Sequence, residues 1–463
     1  MTQEARHDQT DQTGTPASAR RRHLLATVAA GLCLPALTPA GIAAPPPQGG
    51  EAAKPSKPSG LERSRTRVAG FADPEMDFQL IRQIGAARYG GASVGECLAL
   101  ARRIDNGVPA SWVTQFAAAA ARQEADARQR AARHHPISAR EQYLVACNSY
   151  RAAEYYTSIA DPQHAAYGMK SRACFLAAMG LQDDAFEVVS LPFGATPLPA
   201  YFMRPAKAAG RRKTLMMISG YDGTLEETWL SYGRAALERG YQLLLIAGPG
   251  QMDTVRFHPQ LAFIPDTERV AKVALDYLLA RADTDPARVA LMGISFGGYF
   301  ATRMAVHEPR IRALIANSPI IDLHAYMTSF VGFDPAQMPD ADDIKLAEVD
   351  HLPPAAVPPQ TREMMRNLML RFGCDSLKQT YLRLREFRVD DAGLAKIACP
   401  ALGLVGSGEG AQPLAQYQHF RQQVAGAAGY VFSAEEGADG HCQVANLAYS
   451  SAVALDWLDE ALA

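Results

Sequence analysis

The spacing of apolar and polar positions changes near residue 186 and divides the chain into two parts. Before this point, apolar and aromatic residues recur every three or four positions, as in "SWVTQFAAAAARQEADARQRAARHH" and "SAREQYLVACNSYRAAEYYTSIA". This period predicts amphipathic helices packed into an all-helical domain over residues 71–185. Ser138 followed by Glu141 also predicts a capping box at the start of the second of these helices.

After residue 186, short apolar runs alternate with helical stretches. "FEVVSLPF" and "LPAYFMRP" predict a hairpin, and the later strands are predicted at "TLMMISG", "YQLLLIAG", "VALMGIS", "IRALIANSP", "PALGLVGSG" and "GYVFSA". The alternation predicts an α/β domain over residues 186–463, with a mostly parallel sheet and helices on both faces. Between about 321 and 395 the rhythm is lost. We interpret that stretch as a helical insertion over the carboxyl edge of the sheet, where ligands bind in such folds.

The N-terminal region has a different composition. A run of arginines ending at Arg22 precedes the moderately apolar stretch "LLATVAAGLCLPALTPAGIAA". A charged region, a short apolar region and small residues are typical of a signal peptide, and the twin arginine resembles a Tat signal. We therefore expect residues 1–44 to direct the protein to the periplasm or out of the cell. Pro35 and Pro39 interrupt the apolar run, which argues against the alternative of a membrane anchor. Residues 45–70 are rich in Pro, Gly, Ser and Lys and predict a disordered linker.

The net charge and the cysteine content bear on which ligands, metals and disulfide bonds we expect. The 463 residues carry a formal net charge of −2, which gives no basic footprint for nucleic acid. We expect no nucleic-acid partner and no stable membrane insertion. Neither a CxxC nor an HExxH motif occurs, so we expect no metal. The cysteines beyond the predicted signal peptide are even in number, which permits disulfides without assigning pairs; they are Cys97, Cys147, Cys174, Cys374, Cys399 and Cys442.

The pattern Gly-x-Ser-x-Gly occurs twice, at 91–95 and at 293–297. Ser93 has no apolar strand before it, and we expect it to lie in a loop between helices. Ser295 follows a predicted strand and precedes a predicted helix, which is the context of a nucleophile elbow. Ser295 is therefore the predicted nucleophile, and the alternative is a tight turn with an incidental serine.

A serine nucleophile needs a base to take its proton and an acid to orient that base. In this strand order the acid follows a later strand and the histidine follows the last one. His441, in "EEGADGHCQVAN", is the histidine that follows the last predicted strand. Glu409, in "PALGLVGSGEG", is the favoured acid. Asp439, Glu435 and Glu436 stay open as alternatives, because they are close to the histidine in the sequence.

Backbone N–H groups are needed to hold the negative charge that develops on a carbonyl oxygen. The predicted donors are Phe296, which follows the nucleophile, and Tyr221, in the Gly-rich loop after "TLMMISG". Tyr221, Phe300, His324 and Tyr326 are candidate substrate-binding side chains. Each of these four could equally serve in packing.

These features resemble the α/β-hydrolase superfamily. More narrowly, they resemble its branch with an N-terminal helical cap, which contains 2,6-dihydroxypseudooxynicotine hydrolase, the FrsA-like esterases and fungal enzymes that shorten polyketides. The resemblance rests on "GYDGTLEE" (220–227), "GPGQ" (248–251), "DPARVALMGISFGGYFATRMA" (285–305) and "GHCQ" (440–443). It places the nucleophile on Ser295, the histidine on His441 and the acid on Glu409, where the family usually has aspartate. We assign no chemistry to "GPGQ".

The resemblance implies a serine hydrolase that needs no cofactor and acts on a small-molecule carbonyl substrate, aromatic or polyketide-like. The bond cleaved would be an ester, or a C–C bond next to a carbonyl as in a β-diketone. A peptidase of the same superfamily is disfavoured, because no blade-like β repeat precedes the hydrolase domain. The alternative from another class is a non-catalytic ligand-binding protein on this scaffold, which predicts a missing triad member. A homodimer stays open.

Overall fold

A computed structural model describes residues 64–206, 210–353 and 357–463. Its N-terminal part is helical, and most of these helices begin with a proline, whose fixed φ and missing N–H suit the first turn. The helices are α1 (Pro74–Gly85), α2 (Val94–Ala101), α3 (Pro109–Ala132), α4 (Pro136–Tyr155) and α5 (Pro162–Met179), with a 3-10 turn at Ala86–Tyr89. The predicted capping box is wrong, since α4 begins at Pro136 and His135 makes no side-chain cap bond.

An eight-stranded sheet follows the helices and has the order β1-β2-β4-β3-β5-β6-β7-β8. β1 pairs antiparallel with β2 and β2 with β4, and the remaining pairs are parallel. The mostly parallel sheet is as predicted, and its central strands are buried on both faces, which explains their continuous apolar runs. The strands are β1 (Ala185–Leu191), β2 (Leu198–Arg204), β3 (Arg212–Ile218), β4 (Gln242–Ile246), β5 (Thr284–Ile294), β6 (Ala313–Asn317), β7 (Ala401–Gly406) and β8 (Ala428–Phe432).

Helices connect the strands and cover both faces of the sheet. A helical run between β3 and β4 comprises α6 (Leu225–Thr228), a π turn (Trp229–Gly233) and α7 (Arg234–Glu238). The other connecting helices are α8 (Met252–Phe257), α9 (Glu268–Leu279), α10 (Gly297–His307), α15 (Ala411–Gln423) and the C-terminal α16 (Leu447–Ala461). α8 was not predicted, because its short segment has no clear period.

The stretch between β6 and β7 covers the segment of about 321–395 that the sequence analysis interprets as an insertion, and that name is kept for it here. It contains α11 (Leu323–Val331), α12 (Pro359–Phe372), α13 (Leu377–Leu384) and α14 (Asp391–Leu394), with 3-10 turns at Pro335–Gln337, Asp340–Asp342 and Leu346–His351. Because it leaves the carboxyl end of β6, the insertion lies over the edge of the sheet at which the loops after β3, β5 and β7 also lie.

The predicted signal peptide and residues 45–63 of the predicted linker lie outside the described residues. Residues 64–70, the remainder of that linker prediction, make specific contacts instead: Ser64 and Thr66 bond to Asp439, and Arg67 Nε lies 2.6 Å from Asp77 Oδ2. Within the described ranges, no helix is both long and apolar enough to cross a membrane. The cysteines of these ranges are free thiols.

Candidate active site

Ser295 lies in the sharp turn between β5 and α10. Its φ is +60°, in the left-handed region that a residue with a side chain rarely adopts. Its N–H donates to the carbonyl of Asn317 at the end of the neighbouring strand β6, which holds the turn in place. This is the geometry of a nucleophile elbow, in which the hydroxyl projects at the N-terminus of the following helix. Ser93 is exposed at the start of α2, in the predicted loop between helices.

A chain of hydrogen bonds runs from Ser295 through His441 to Glu409. Ser295 Oγ lies 2.8 Å from His441 Nε2, and His441 Nδ1 lies 2.6 Å from Glu409 Oε2. Glu409 is 4% exposed, and its carboxylate also accepts from the Gly406 N–H and the Ser318 hydroxyl. These extra donors hold the carboxylate in its orientation toward the histidine ring.

The alternative acids are placed differently. Asp439 accepts hydrogen bonds from residues 64–66, and Glu436 accepts from Tyr430 and from Ser433. Glu435 is exposed to solvent. Of the four carboxylates considered from the sequence, Glu409 is therefore the one at hydrogen-bond distance from the histidine ring.

The pKa of His441 is raised well above its ordinary value. Burial has the largest influence and by itself lowers the pKa, but Cys442, Tyr326 and Glu409 together outweigh it. Of these three kinds of group, a carboxylate is the one that is charged at neutral pH. We therefore ascribe the direction of the shift to Glu409, which stabilises the imidazolium form that a general base must reach.

The two predicted oxyanion donors belong to segments that pack against each other at the elbow. Tyr221 follows Gly220, and a Cβ built on Gly220 would come 2.7 Å from Ser295 Cβ and 2.8 Å from Phe296 N. A side chain at residue 220 would therefore separate the loop after β3 from the elbow. In the described part of the chain, neither the Phe296 nor the Tyr221 N–H donates to another residue. Both remain available to a ligand oxygen.

Sequence reasoning missed the residues that hold this loop. The Gln251 side chain donates to the carbonyls of Ser219 (2.6 Å) and Gly220 (3.1 Å). Arg371, from α12 of the insertion, donates to the Tyr221 carbonyl, and its Nε donates to the Gly250 carbonyl at 2.6 Å. The "GPGQ" segment, to which the sequence assigned no chemistry, thus supports the oxyanion loop. Its position after β4, the neighbour of β3, is the signal that could have found it.

The helical cap holds the other side of the same loop. Arg82 of α1 lies 3.1 Å from Asp222 and 2.6 Å from Glu227, and Arg151 of α4 lies 3.6 Å from Glu227. Burial raises the pKa of Glu227, but the two guanidinium groups outweigh it, and the net pKa is lowered. Asp222 and Glu227 of "GYDGTLEE" therefore join the cap to the carboxyl edge of the sheet.

A cavity of about 950 Å³ opens in front of Ser295 and His441. Its walls come from the cap, from the loops after β3 and β5, and from the insertion. The lining is mostly apolar and includes the aromatic rings of Tyr155, Tyr156, Tyr221, Phe296, Tyr326, Phe330 and Phe372. The candidate nucleophile thus faces a partly open, mostly apolar cavity, as expected of a small-molecule site.

The structure places two of the four candidate pocket residues in the cavity lining and two elsewhere. Tyr221 and Tyr326 line the cavity. Phe300 does not, because it lies on the face of α10 that packs into the core, 4.3 Å from the Phe296 ring and 2% exposed. His324 does not either, because its Nε2 is paired with Asp334 at 3.0 Å. Whether a side chain on a helix faces the core or the cavity depends on the elements that pack around the helix. The positions of those elements cannot be read from a single sequence.

Within the described ranges, no cluster of His, Cys, Asp and Glu side chains is arranged to hold a metal ion. The chemistry of the site can be written with the residues already named, because a buried Ser–His–carboxylate chain and two free N–H groups supply a nucleophile, a base and an anion site.

An elbow serine at the carboxyl edge of a mostly parallel sheet defines the class of an α/β-hydrolase. Comparison with known proteins agrees. Residues 270–359 match the model of the prolyl oligopeptidase family. The structure is similar to that of 2,6-dihydroxy-pseudo-oxynicotine hydrolase, with a TM-score of 0.64 over 82% of this chain and 95% of that one, at 20% sequence identity. At that identity, the likeness concerns the fold.

The chain has the α/β-hydrolase fold and is similar in sequence to proteins described as α/β-hydrolases. Among its relatives, the alpha/beta hydrolase xenA of Xenoacremonium sinensis is 34% identical over 258 residues, which are 53% of this chain and 60% of xenA. The 20-hydroxy-prefusarin hydrolase FUS2 of Gibberella moniliformis is 32% identical over 263 residues, which are 55% of this chain and 62% of FUS2. The matches to these relatives thus cover less than two thirds of their length. The predicted resemblance to the capped branch is confirmed.

Proposed function

We propose that the chain is a serine hydrolase in which Ser295, His441 and Glu409 form a catalytic triad. The observation that carries the proposal is the unbroken hydrogen-bond chain between these three side chains, two of which line the cavity. A ligand-binding protein on a retired scaffold needs no such chain, because the buried Glu409 carboxylate would only add a desolvation cost.

The mechanism follows from the geometry. His441 Nε2 takes the hydroxyl proton as Ser295 Oγ attacks the substrate carbonyl, and the N–H groups of Phe296 and Tyr221 bind the oxygen that becomes negative. When the intermediate collapses, the imidazolium returns its proton to the leaving group. Water, deprotonated by the same histidine, then releases the acid product from the serine.

The leaving group is an alcohol in ester cleavage. In C–C cleavage it is a carbanion, and a second carbonyl in the β position stabilises it as an enolate before it is protonated. The aromatic lining favours a small aromatic or polyketide-like substrate, because flat rings bury large areas against Tyr and Phe side chains. The relative FUS2 is named as a hydrolase of 20-hydroxy-prefusarin. This name is consistent with our proposal that the substrate of this chain is larger than a simple acetyl ester.

A fluorophosphonate probe and a substrate panel test the proposal on the full chain. We expect one probe molecule per chain, located on Ser295 by peptide mass spectrometry, because an activated serine attacks phosphorus as it attacks a carbonyl. The panel contains aryl esters, β-diketones with aromatic substituents, and peptide anilides, compared by kcat/KM. Turnover of an ester or β-diketone is expected to exceed that of the anilides.

The same experiment separates the rival functions. Preferred turnover of the anilides would identify a peptidase, the activity suggested by the match to the prolyl oligopeptidase family over residues 270–359. A folded protein that is never labelled and turns over no compound would identify a binding protein.

We further propose export by a Tat-type signal within residues 1–44, supported by the arginines at positions 20–22 and the short apolar run after them. Replacing Arg21 and Arg22 by lysine is expected to leave the precursor in the cytoplasm, because the Tat machinery reads the arginine pair. The measurement is the distribution of the protein between cytoplasmic and periplasmic fractions, with Arg20→Lys as the matched control. Unchanged export of the double variant would contradict a Tat route.

A further inference from the structure

Asp439 lies in the loop that carries His441, but its carboxylate accepts hydrogen bonds from residues 64–66, which are far away in the sequence. Oδ2 accepts from the Arg65 N–H at 2.6 Å, and Oδ1 accepts from the Thr66 hydroxyl at 2.6 Å. Longer bonds reach Oδ1 from the Ser64 hydroxyl (3.2 Å) and the Thr66 N–H (3.3 Å). Asp439 has no exposed surface. Burying a carboxylate costs free energy unless such donors bind it. Residues 64–66 and the loop that carries Asp439 and His441 therefore hold each other in place.

The same contact reaches the loop of the proposed triad acid. The Gly408 N–H donates to the Asp439 carbonyl at 2.9 Å, and Gly408 directly precedes Glu409. A Cβ built on Gly408 would collide with Asp439 Oδ2 and come 3.2 Å from the Arg65 nitrogen. Three segments that are far apart in sequence therefore meet at Asp439: residues 64–66, the acid loop and the histidine loop.

We propose that residues 64–66, called here the N-terminal clamp, fix the distance between Glu409 and His441 by binding Asp439, which makes Asp439 a positioning residue. The inference rests on the proposed hydrolase function. The clamp does not touch the reacting atoms. It holds the histidine loop against the acid loop. A small displacement of either loop would lower the reaction rate, because proton transfer needs groups at hydrogen-bond distance.

A matched pair of variants in the full chain tests the clamp. Thr66→Val keeps the shape of the side chain and removes the hydroxyl donor, whereas Thr66→Ser keeps the donor. We expect Thr66→Val to lower kcat and the rate of fluorophosphonate labelling by about tenfold, with KM unchanged because the cavity is untouched. Thr66→Ser is expected to stay within about twofold of the parent protein, since the hydroxyl still reaches Asp439.

A second pair acts on the backbone donor. Arg65→Pro removes the N–H that binds Asp439, whereas Arg65→Ala keeps it and changes only an exposed side chain. We expect slow labelling with proline and parent-like labelling with alanine. Thermal unfolding of each variant, with all rates measured well below the transition, separates lost positioning from lost stability. If Thr66→Val does not fold, the comparison of Arg65→Pro with Arg65→Ala tests the clamp instead.

The outcomes distinguish this inference from the function on which it rests. If the parent protein is not labelled at Ser295, the proposed function fails and the clamp with it. If the parent is labelled but Thr66→Val and Arg65→Pro are labelled at the parent rate, the clamp is overturned and the hydrolase stands. Equal slowing by Thr66→Val and Thr66→Ser would also overturn it, because the hydroxyl bond would then be irrelevant.

Discussion

Replacing Ser295 by alanine is expected to lower kcat on the best substrate of the panel by about 10⁵–10⁶-fold, because no other group can form the acyl intermediate. Fluorophosphonate labelling should disappear as well. Substrate affinity should change little, since the hydroxyl contributes a small part of a cavity of about 950 Å³. The measurements are kcat and labelling stoichiometry, together with the Kd of an unreactive substrate analogue.

The chain supplies a matched control for this variant. Ser93 lies in the second Gly-x-Ser-x-Gly match, but it is exposed between helices of the cap and makes no contact with His441. Ser93→Ala is therefore expected to keep the parent kcat and the parent labelling. Turnover by Ser295→Ala within tenfold of the parent would contradict the assignment of the nucleophile.

The difference between the two serines shows what a sequence can predict about this fold. Ser295 was identifiable because an elbow is a local feature, with an apolar strand before it and a helix after it. His441 and Glu409 followed from the order of the strands, since the loops after parallel strands meet at one edge of the sheet. The sheet itself was predictable because strands buried on both faces read as continuous apolar runs.

The residues that the sequence did not reveal depend on which side chains meet across the tertiary structure. Gln251 and Arg371 hold the loop of Tyr221 from the segment after β4 and from the insertion, and neither has a local signature. Phe300 and His324 are candidates for substrate binding or for packing from the sequence, and in the structure one packs into the core and the other pairs with Asp334. These are consequences of how the elements face one another, which spacing alone does not determine.

The support of the oxyanion loop also suggests why the cap and the insertion accompany this hydrolase domain. Tyr221 is bound through its carbonyl to Arg371 of the insertion, and the adjacent Asp222 is paired with Arg82 of the cap. Both accessory parts also form walls of the cavity. Under the proposed mechanism, the elements that line the cavity would thus also hold the backbone that stabilises the oxyanion, which is the preorganisation that catalysis requires.

Replacing Glu409 by glutamine is expected to lower kcat by about 10³–10⁴-fold, because the amide can present its N–H₂ to the ring and favour the wrong tautomer. The pH profile carries independent information. His441 must be neutral to accept the serine proton, so activity falls as pH drops through its pKa, which is raised above the ordinary value. Without the carboxylate, the imidazolium loses its stabilisation and the pKa of His441 falls. The low-pH side of the activity profile, called here the acid limb, should therefore move to lower pH.

The pH dependence of kcat/KM between pH 5 and 9 is the measurement, with Glu435→Gln as the matched control. Glu435 is exposed and belongs to the histidine loop, so its variant should keep both the parent rate and the parent acid limb. A Glu409→Gln protein that retained near-normal turnover would remove Glu409 from the triad. Loss of activity with an unmoved acid limb would mean that the carboxylate orients His441 without raising its pKa, because only a change in the charge beside the ring shifts the limb.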